Sequence, residues 1–322
     1  MRLDRDTEQF LNSLSEESAP ALHELPIGQA REKLKELTAV LDVPSSKVDR
    51  VEDRTIPTDW GGIDIRIYWP SGGDSTTSLG IFVMYHGGGF VMGDVDTHDN
   101  VSRFYCAHGR VIVISVDYRL APEHPFPAAV DDSYAALCWV YENASSLGGA
   151  RDLVAVGGDS AGGNLSAVVC QIARDRKGPP IALQVLIYPV VSATVDSVYP
   201  SRSQFAGGEY FLSTQDFLWF NQMYLPNSEQ ERDVLVSPIL ADSMHGLPPA
   251  LVITAGFDPL RDEGRHYYER LKEGGVDASY RCFESTIHGF MSFAGQISVG
   301  LEGLHTVASA LSTALSPQGL DA

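Results

Sequence analysis

Ser160 lies in a glycine-rich stretch, G-x-S-x-G at residues 158–162, directly after the apolar run Leu153–Val156. From Ala161 onward apolar residues recur at helical spacing, so the segment predicts a strand, a sharp turn and a helix. At such a turn the serine hydroxyl is exposed, and the glycines let strand and helix approach closely. The pattern is typical of a nucleophilic serine. Because a lone G-x-S-x-G arises by chance, it needs partner residues.

Three consecutive glycines follow His86 in the stretch HGGGF, residues 86–90, at the end of another apolar run. Glycines allow backbone N–H groups to turn toward one point, as an oxyanion hole requires. We therefore predict that the N–H groups of Gly88, Gly89 and Ala161 bind an oxyanion, and that His86 holds the loop by a hydrogen bond. The glycine stretch around Ser160 contains neither the G-x-G-x-x-G of a dinucleotide site nor the Gly-Lys-Ser/Thr of a phosphate loop.

A base must follow the serine along the chain, because a fold with this turn carries its parts in the order Ser, acid, His. Three histidines satisfy that order: His266, His288 and His305. His266 and His305 lie in helical patterns and are expected to be solvated or packed. His288 lies in a glycine-flanked loop after the last apolar run, and we predict that it is the base.

The acid is predicted to be Asp258, which directly follows the apolar run LVITA in the turn GFDPL. Asp262 and Glu263 come four and five residues later, on the first turn of the next helix, where acidic side chains complement the helix dipole. In the resulting mechanism His288 takes the proton of Ser160 during attack on an ester carbonyl, and Asp258 fixes the tautomer of the imidazole. No metal or cofactor is required.

The remaining apolar runs predict an α/β fold. Residues 48–70 alternate apolar and polar side chains around Gly61-Gly62, which indicates an antiparallel hairpin. Short apolar runs then alternate with helical stretches, which predicts a mostly parallel sheet with helices on both faces. The predicted strands are Ile81–Tyr85, Val111–Val116, Leu153–Val156, Leu183–Ile187, Leu251–Thr254 and Ala278–Phe283.

Two segments are predicted to form a helical cap over this sheet. The first is residues 1–46, in which an amphipathic helix is expected over residues 28–41 with Ala30, Leu34, Leu37 and Leu41 on its apolar face. The second is an aromatic-rich insertion at residues 193–235, since excursions of this length have structure of their own. Residues 47–192 and 236–322 would then form the catalytic domain.

Composition narrows the function classes. The chain has 322 residues and a formal net charge of −19, which argues against nucleic acid and anionic membranes as partners. Its N-terminus lacks the apolar segment of a signal peptide, so a cytoplasmic location is expected. The cysteines, which form no C-x-x-C pair, are expected to be reduced and buried: Cys106, Cys138, Cys170 and Cys282.

Five segments together resemble the hormone-sensitive-lipase-like branch of the α/β-hydrolases, the bacterial family IV esterases. They occur in the family's order between roughly residues 80 and 290: HGGGF, VDYRLAPEHPFPAAVDD, GGDSAGGN, DPLRDEG and HGF. The resemblance implies an α/β-hydrolase fold with a cap and selects the same Ser160, Asp258 and His288. Dimers are usual among such proteins, so a homodimer is possible, although no residue here indicates one.

We predict a carboxylesterase acting on small esters with short to medium acyl chains. An amidase or aryl-acyl deacetylase on the same residues is the alternative; a ligand receptor of the gibberellin type is disfavoured because such receptors lack the histidine corresponding to His288. Phe90, Phe211 and Leu212 are the predicted pocket residues. Asp159 is expected either to shape the turn or to touch the pocket. Arg119 is expected to be paired within a proline-rich wall.

Overall fold

A twisted sheet forms the centre of the molecule. The structure, a computed structural model, describes residues 2–16, 20–72, 78–194 and 198–316. The strands of this part are β1 (Arg50–Thr58), β2 (Gly61–Trp69), β3 (Leu79–Tyr85), β4 (Ile112–Asp117), β5 (Gly149–Asp159), β6 (Leu183–Ile187), β7 (Ala250–Phe257) and β8 (Ala278–Ile287). Their order across the sheet is β1-β2-β4-β3-β5-β6-β7-β8. The six neighbouring strands β4, β3, β5, β6, β7 and β8 are parallel to one another. Strand β2 runs antiparallel to both of its neighbours, β1 and β4.

Helices cover both faces of the sheet. Those described are α1 (Arg5–Glu16), α2 (Ile27–Leu41), α3 (Asp99–Gly109), α4 (Ala128–Asn143), α5 (Ala161–Arg176), α6 (Pro200–Phe205), α7 (Thr214–Tyr224), α8 (Arg261–Glu273) and α9 (Ser298–Ala314). Short 3₁₀ turns lie at Leu22–Glu24, Ala144–Leu147, Ser228–Arg232 and Pro238–Leu240. Within the described ranges none of these helices has the length and apolar content to cross a membrane.

The central strands are apolar throughout because both of their faces are buried. In β3, Ile81 and Val83 face a core shared with α4, α5 and α8, whereas Phe82 and Met84 face a second core shared with α3 and α9. Each predicted strand is present; the one at Leu183–Ile187 has its predicted bounds. The α/β fold class expected from the alternation is therefore confirmed.

The last strand differs from its prediction. The sequence analysis grouped β8 with the short apolar runs, but its residues Ser279, Arg281 and Glu284 are exposed. The physical reason is its place at the edge of the sheet, where it pairs with β7 alone. The hairpin also differs slightly, because its turn lies at residues 59–60 and the two predicted turn glycines begin β2.

The cysteines follow the sequence expectation only in part. All four are free thiols, and Cys106 and Cys170 are buried. Cys138 and Cys282 are half-buried instead, since Cys138 lies on α4 and Cys282 on the edge strand β8. Burial is the main cause that raises the pKa of each thiol, so none has the character of a reactive thiolate.

Candidate active site

Ser160 occupies a sharp turn between β5 and α5. Its backbone has φ 53° and ψ −112°, a conformation that non-glycine residues adopt only where the surrounding structure enforces it. A Cβ atom at Gly158 or Gly162 would overlap the carbonyl oxygen of Tyr85 on β3. The two glycines therefore allow β5 and α5 to cross close to β3, and we call residues 158–162 the nucleophile elbow.

The structure brings Ser160, His288 and Asp258 together at the carboxyl edge of the sheet. His288 Nε2 lies 3.0 Å from Ser160 Oγ, and His288 Nδ1 lies 2.8 Å from Asp258 Oδ2. Asp258 is fully buried, and its other oxygen accepts the N–H of Leu260 at 2.8 Å. Because a carboxylate only accepts hydrogen bonds, Nδ1 of His288 carries a hydrogen and Nε2 faces the serine hydroxyl.

The ring of His288 is held by aromatic packing. Tyr188 lies edge-on to it, with ring centroids 4.7 Å apart, and Phe290 lies against Tyr188 in turn. Tyr188 has a positive φ of 33° and is buried at the end of β6. The sequence analysis missed Tyr188, because no spacing rule singles out one aromatic residue after a buried strand.

The predicted oxyanion loop, residues 86–94, is called the glycine loop. Gly88 and Gly89 have φ of 114° and 63°, conformations that favour glycine, and both line a cavity shared with Ser160 and His288. Ala161 is the first residue of α5, so its N–H has no acceptor within the helix. Gly88 and Gly89 thus share a cavity with Ser160, and Ala161 follows it directly in the chain.

His86 makes the expected hydrogen bond within the glycine loop. Its Nδ1 lies 2.8 Å from the carbonyl oxygen of Gly87, and its ring stacks on Tyr118 with centroids 4.2 Å apart. Burial and then the charge of His98 lower the pKa of His86 to about 4. His86 is therefore a neutral structural residue.

Asp159 has both of the roles that the sequence left open. Its Oδ1 accepts the N–H of Gly87 at 2.9 Å, which ties the nucleophile elbow to the glycine loop. Its side chain also lines the cavity beside Ser160. His98 Nε2 lies 3.2 Å from the same carboxylate oxygen, a partner that the sequence analysis did not identify.

Two cavities meet at Ser160. The larger, of about 100 Å³, is called the first cavity. Its apolar wall comes from the glycine loop, the 3₁₀ turn Leu22–Glu24, α2, α7 and the loop after β8, through Leu22, Leu34, Met92, Phe211, Leu212, Phe220 and Phe293. The second cavity, of about 40 Å³, extends from Ser160 on the other side, toward Phe90 and Tyr224.

The predicted pocket residues all line these cavities. Phe211, with φ 77°, lines the first cavity. Phe90 lines the second cavity, where it stacks on Tyr224 with ring centroids 4.0 Å apart. Leu212 lies between the two and contacts both. Leu34, Phe220 and Phe293 also line the first cavity. The helical period had put Leu34 on the apolar face of α2, whereas no sequence pattern indicated a role for Phe220 or Phe293.

The proline-rich wall contains the ion pair expected at Arg119. Its guanidinium makes two contacts of 2.8 Å with Asp132, whose side chain is fully buried. His266 and His305, which the sequence set aside, are exposed residues of α8 and α9. Neither lies beside Ser160, in agreement with their exclusion.

Glu263 lies on the first turn of α8, as the sequence predicted. It is also fully buried, which the sequence analysis did not identify. Its carboxylate accepts the N–H of Val191 at 2.9 Å and pairs with Arg202 of α6 at 2.6 Å. Burial, only partly offset by Arg202, raises its pKa. Glu263 thus links α8 to the segment between β6 and β7.

Comparisons with known proteins agree with this architecture. A family described as alpha/beta hydrolase fold matches residues 82–292, more than half of the chain. The chain is 44% identical to the carboxylic ester hydrolase LipN of Mycobacterium tuberculosis over 293 residues, which covers 89% of this chain and 76% of that protein.

Solved structures give the same result. An ester hydrolase from the metagenome of Lake Arreo, complexed with a bipyridine phosphonate derivative, superposes with a TM-score of 0.92 at 40% identity, covering 96% of this chain and 98% of that one. A Pyrobaculum calidifontis esterase superposes with a TM-score of 0.88 at 41% identity, with the same coverage. The chain therefore belongs to the carboxylic ester hydrolases of the α/β-hydrolase fold, in their hormone-sensitive-lipase-like branch.

Proposed function

We propose that the protein hydrolyses short- to medium-chain acyl esters through a covalent acyl-enzyme on Ser160. His288 takes the proton of the Ser160 hydroxyl as its oxygen attacks the ester carbonyl carbon. The carbonyl oxygen becomes an oxyanion that accepts hydrogen bonds from the N–H groups of Gly88, Gly89 and Ala161. His288, held by Asp258, then donates the proton to the leaving alkoxide, and water hydrolyses the acyl-enzyme by the same steps.

One observation carries this proposal: the imidazole of His288 lies between Ser160 Oγ at 3.0 Å and Asp258 Oδ2 at 2.8 Å. A histidine with an acceptor on one nitrogen and a hydroxyl on the other has the geometry of a general base. The same contacts count against the receptor alternative, since a binding protein needs no base beside the serine.

The proposed chain-length preference comes from the size of the cavities. The second cavity is about 40 Å³, and its residues Leu212, Phe217 and Leu260 also line a separate space. An extended acyl chain entering the second cavity therefore meets a wall. The first cavity is larger and mostly apolar, which suits the other arm of a small ester.

The residues that line the first cavity support the division of the chain into a cap and a catalytic domain. Residues 1–46 contribute Leu22 and Leu34, and residues 193–235 contribute Phe211, Leu212 and Phe220. We propose that these segments form a cap over residues 47–192 and 236–322, which carry the reacting groups.

Hydrolysis of p-nitrophenyl esters from acetate to palmitate tests the activity and the chain-length preference together. We expect kcat/KM to be highest for short and medium chains and to fall steeply at palmitate. Ser160→Ala is expected to lower kcat by about 10⁴-fold or more with an unchanged melting temperature, while Ser309→Ala, on the exposed side of α9, retains full activity. Full activity of Ser160→Ala, or better turnover of long-chain than of short-chain esters, would contradict the proposal.

Leu212→Ala tests which wall limits the acyl chain. Removing this side chain joins the second cavity to the space beyond it, so we expect the optimum to move toward longer chains by a few carbons. Leu240→Ala, an exposed position outside both cavities, is the matched control. An unchanged chain-length profile for Leu212→Ala would show that the second cavity does not receive the acyl chain.

A further inference from the structure

A second imidazole–carboxylate pair lies behind the glycine loop. His98 Nε2 is 3.2 Å from Oδ1 of Asp159, and that oxygen accepts the N–H of Gly87 at 2.9 Å. His98 and Asp159 are only 5% and 9% exposed, and both line the first cavity beside Ser160. The pair thus connects the nucleophile elbow with the glycine loop at the wall of the first cavity.

The surroundings of His98 suit a protonated ring. Thr97 Oγ1 accepts the N–H of Asp94 at 2.9 Å and lies 2.8 Å from the carbonyl oxygen of Asp94 and 2.9 Å from His98 Nδ1. When the hydroxyl hydrogen points to that carbonyl oxygen, His98 Nδ1 donates to the hydroxyl oxygen. Nε2 faces the Asp159 carboxylate at 3.2 Å without an aligned hydrogen bond, so the contact between them is the ion pair of a protonated imidazole.

The titratable groups that surround His98 agree with this charge. Burial by itself would lower the pKa of His98. The carboxylate of Asp159, followed by those of Asp42 at the end of α2 and Asp94 in the glycine loop, outweighs burial and leaves the pKa above its usual value. The neighbouring ring of His86, with its centroid 5.6 Å away, stays neutral. The cationic partner of Asp159 is therefore His98.

The charge of His98 matters because Asp159 precedes the nucleophile. The transition state of ester hydrolysis places a negative charge beside the glycine loop, and a nearby uncompensated carboxylate would oppose it. The contact is also close, since a Cβ on Gly87 would overlap the Asp159 carboxylate. A displaced Asp159 would therefore move the glycine loop. An Asp159 without a cationic partner would place an uncompensated negative charge near the oxyanion hole.

We propose that His98 is a positioning residue for ester hydrolysis. Its imidazolium holds and neutralises the Asp159 carboxylate, which in turn fixes the glycine loop through the N–H of Gly87. This inference rests on the proposed function, because it concerns the oxyanion hole of the same site. His98 itself touches no reacting atom.

A charge-balance experiment tests the proposal. His98→Gln keeps a hydrogen-bond donor but removes the charge, and we expect kcat for p-nitrophenyl butyrate to fall about 10- to 100-fold, approaching the loss of one oxyanion-hole donor, with KM changed less than threefold. Asp159→Asn keeps an acceptor for Gly87 and is expected to lower kcat less than tenfold. In the double variant no charge is left unpaired, so its kcat should return to that of Asp159→Asn.

The pH profile gives a readout that a purely structural role would not move. Wild-type kcat should decline at alkaline pH as His98 loses its proton, above the range of an ordinary histidine. The double variant lacks both His98 and Asp159 and should lack that decline. His245→Gln, an exposed histidine, is the control and should retain the wild-type profile.

The outcomes separate this inference from the proposed function. If His98→Gln fails to fold, a folded and active double variant supports the inference, whereas a double variant that also fails to fold overturns it. Equal kcat for wild type and His98→Gln, or a double variant no better than His98→Gln, also overturns it. A wild-type protein that neither hydrolyses esters nor is labelled at Ser160 by an organophosphate would instead overturn the proposed function.

Discussion

Two buried imidazole–carboxylate pairs flank Ser160, and they are built from the same two side-chain types. In the pair of Asp258 and His288, the carboxylate occupies Nδ1, and Nε2 lies 3.0 Å from the serine hydroxyl. In the pair of Asp159 and His98, Nδ1 lies against Thr97 and Nε2 against the carboxylate. The difference teaches that the group facing Nε2 decides the role: His288 Nε2 faces the serine hydroxyl and can take its proton, whereas His98 Nε2 faces a carboxylate.

Replacing the carboxylate of each pair by an amide should give the largest difference in kcat between the two pairs. Asp258→Asn is expected to lower kcat by about 10⁴-fold, because the amide favours the wrong tautomer of the catalytic imidazole. Asp159→Asn should lower kcat less than tenfold, since the amide oxygen still accepts from Gly87. Steady-state kinetics on p-nitrophenyl butyrate, with circular dichroism to verify folding, measures both. Losses of equal size would remove the distinction drawn between the pairs.

Gly87→Ala should act on the Asp159 pair alone. The added Cβ would overlap the Asp159 carboxylate, so the side chain must move and the hydrogen bond to the loop N–H is lost. We expect a fall in kcat of about 10- to 100-fold. Gly28→Ala, where the added methyl meets no atom within 4 Å, is the matched control and should retain wild-type kcat. Wild-type kcat in Gly87→Ala would mean that the loop does not need Asp159.

Asp117→Asn measures how a half-buried carboxylate with no imidazolium beside it affects stability. Burial, followed by the charges of Asp94, Asp64 and Asp96, raises the pKa of Asp117 to about 6. Because this folded-state pKa lies above the unfolded value, ionisation opposes folding: the penalty is absent below about pH 4, grows up to about pH 6 and is complete above it. We therefore expect Asp117→Asn to raise the free energy of unfolding by about 1–3 kcal/mol at pH 7.

Urea unfolding at pH 7 and at pH 4 checks this smallest effect. The stabilisation of Asp117→Asn should be present at pH 7 and nearly absent at pH 4, where the wild-type carboxyl is protonated. The same difference at both pH values would attribute it to packing instead of charge.

The sequence predicted the reacting groups because local backbone geometry constrains them. Ser160 needs its glycines on a turn, and His288 and Asp258 each follow a buried strand that ends at the same edge of the sheet. The residues that it missed act across long separations. His98 meets Asp159 only after β3 and β5 pair, and the stretch THDN around His98 carries no signal of its own.

Glu263 shows the limit of local reasoning in another way. Its position on the first turn of α8 predicted an acid that complements the helix dipole, but it gave no sign that the side chain is buried. What buries it is Arg202, 61 residues earlier, together with the chain after β6. Helix position could not reveal a partner supplied by a distant insertion.

The position of the N-terminal helices has a consequence for synthesis on the ribosome. Thr7 Oγ1 lies 3.0 Å from Thr286 Oγ1, although 279 residues separate them, and α2 contributes Leu34 to the cavity wall. Because translation proceeds from the N-terminus, α1 and α2 emerge long before β8, on which α1 rests. A nascent chain that stops short of residue 278 therefore has neither its base nor the strand that seats its first helix, and ester hydrolysis must await the translation of His288.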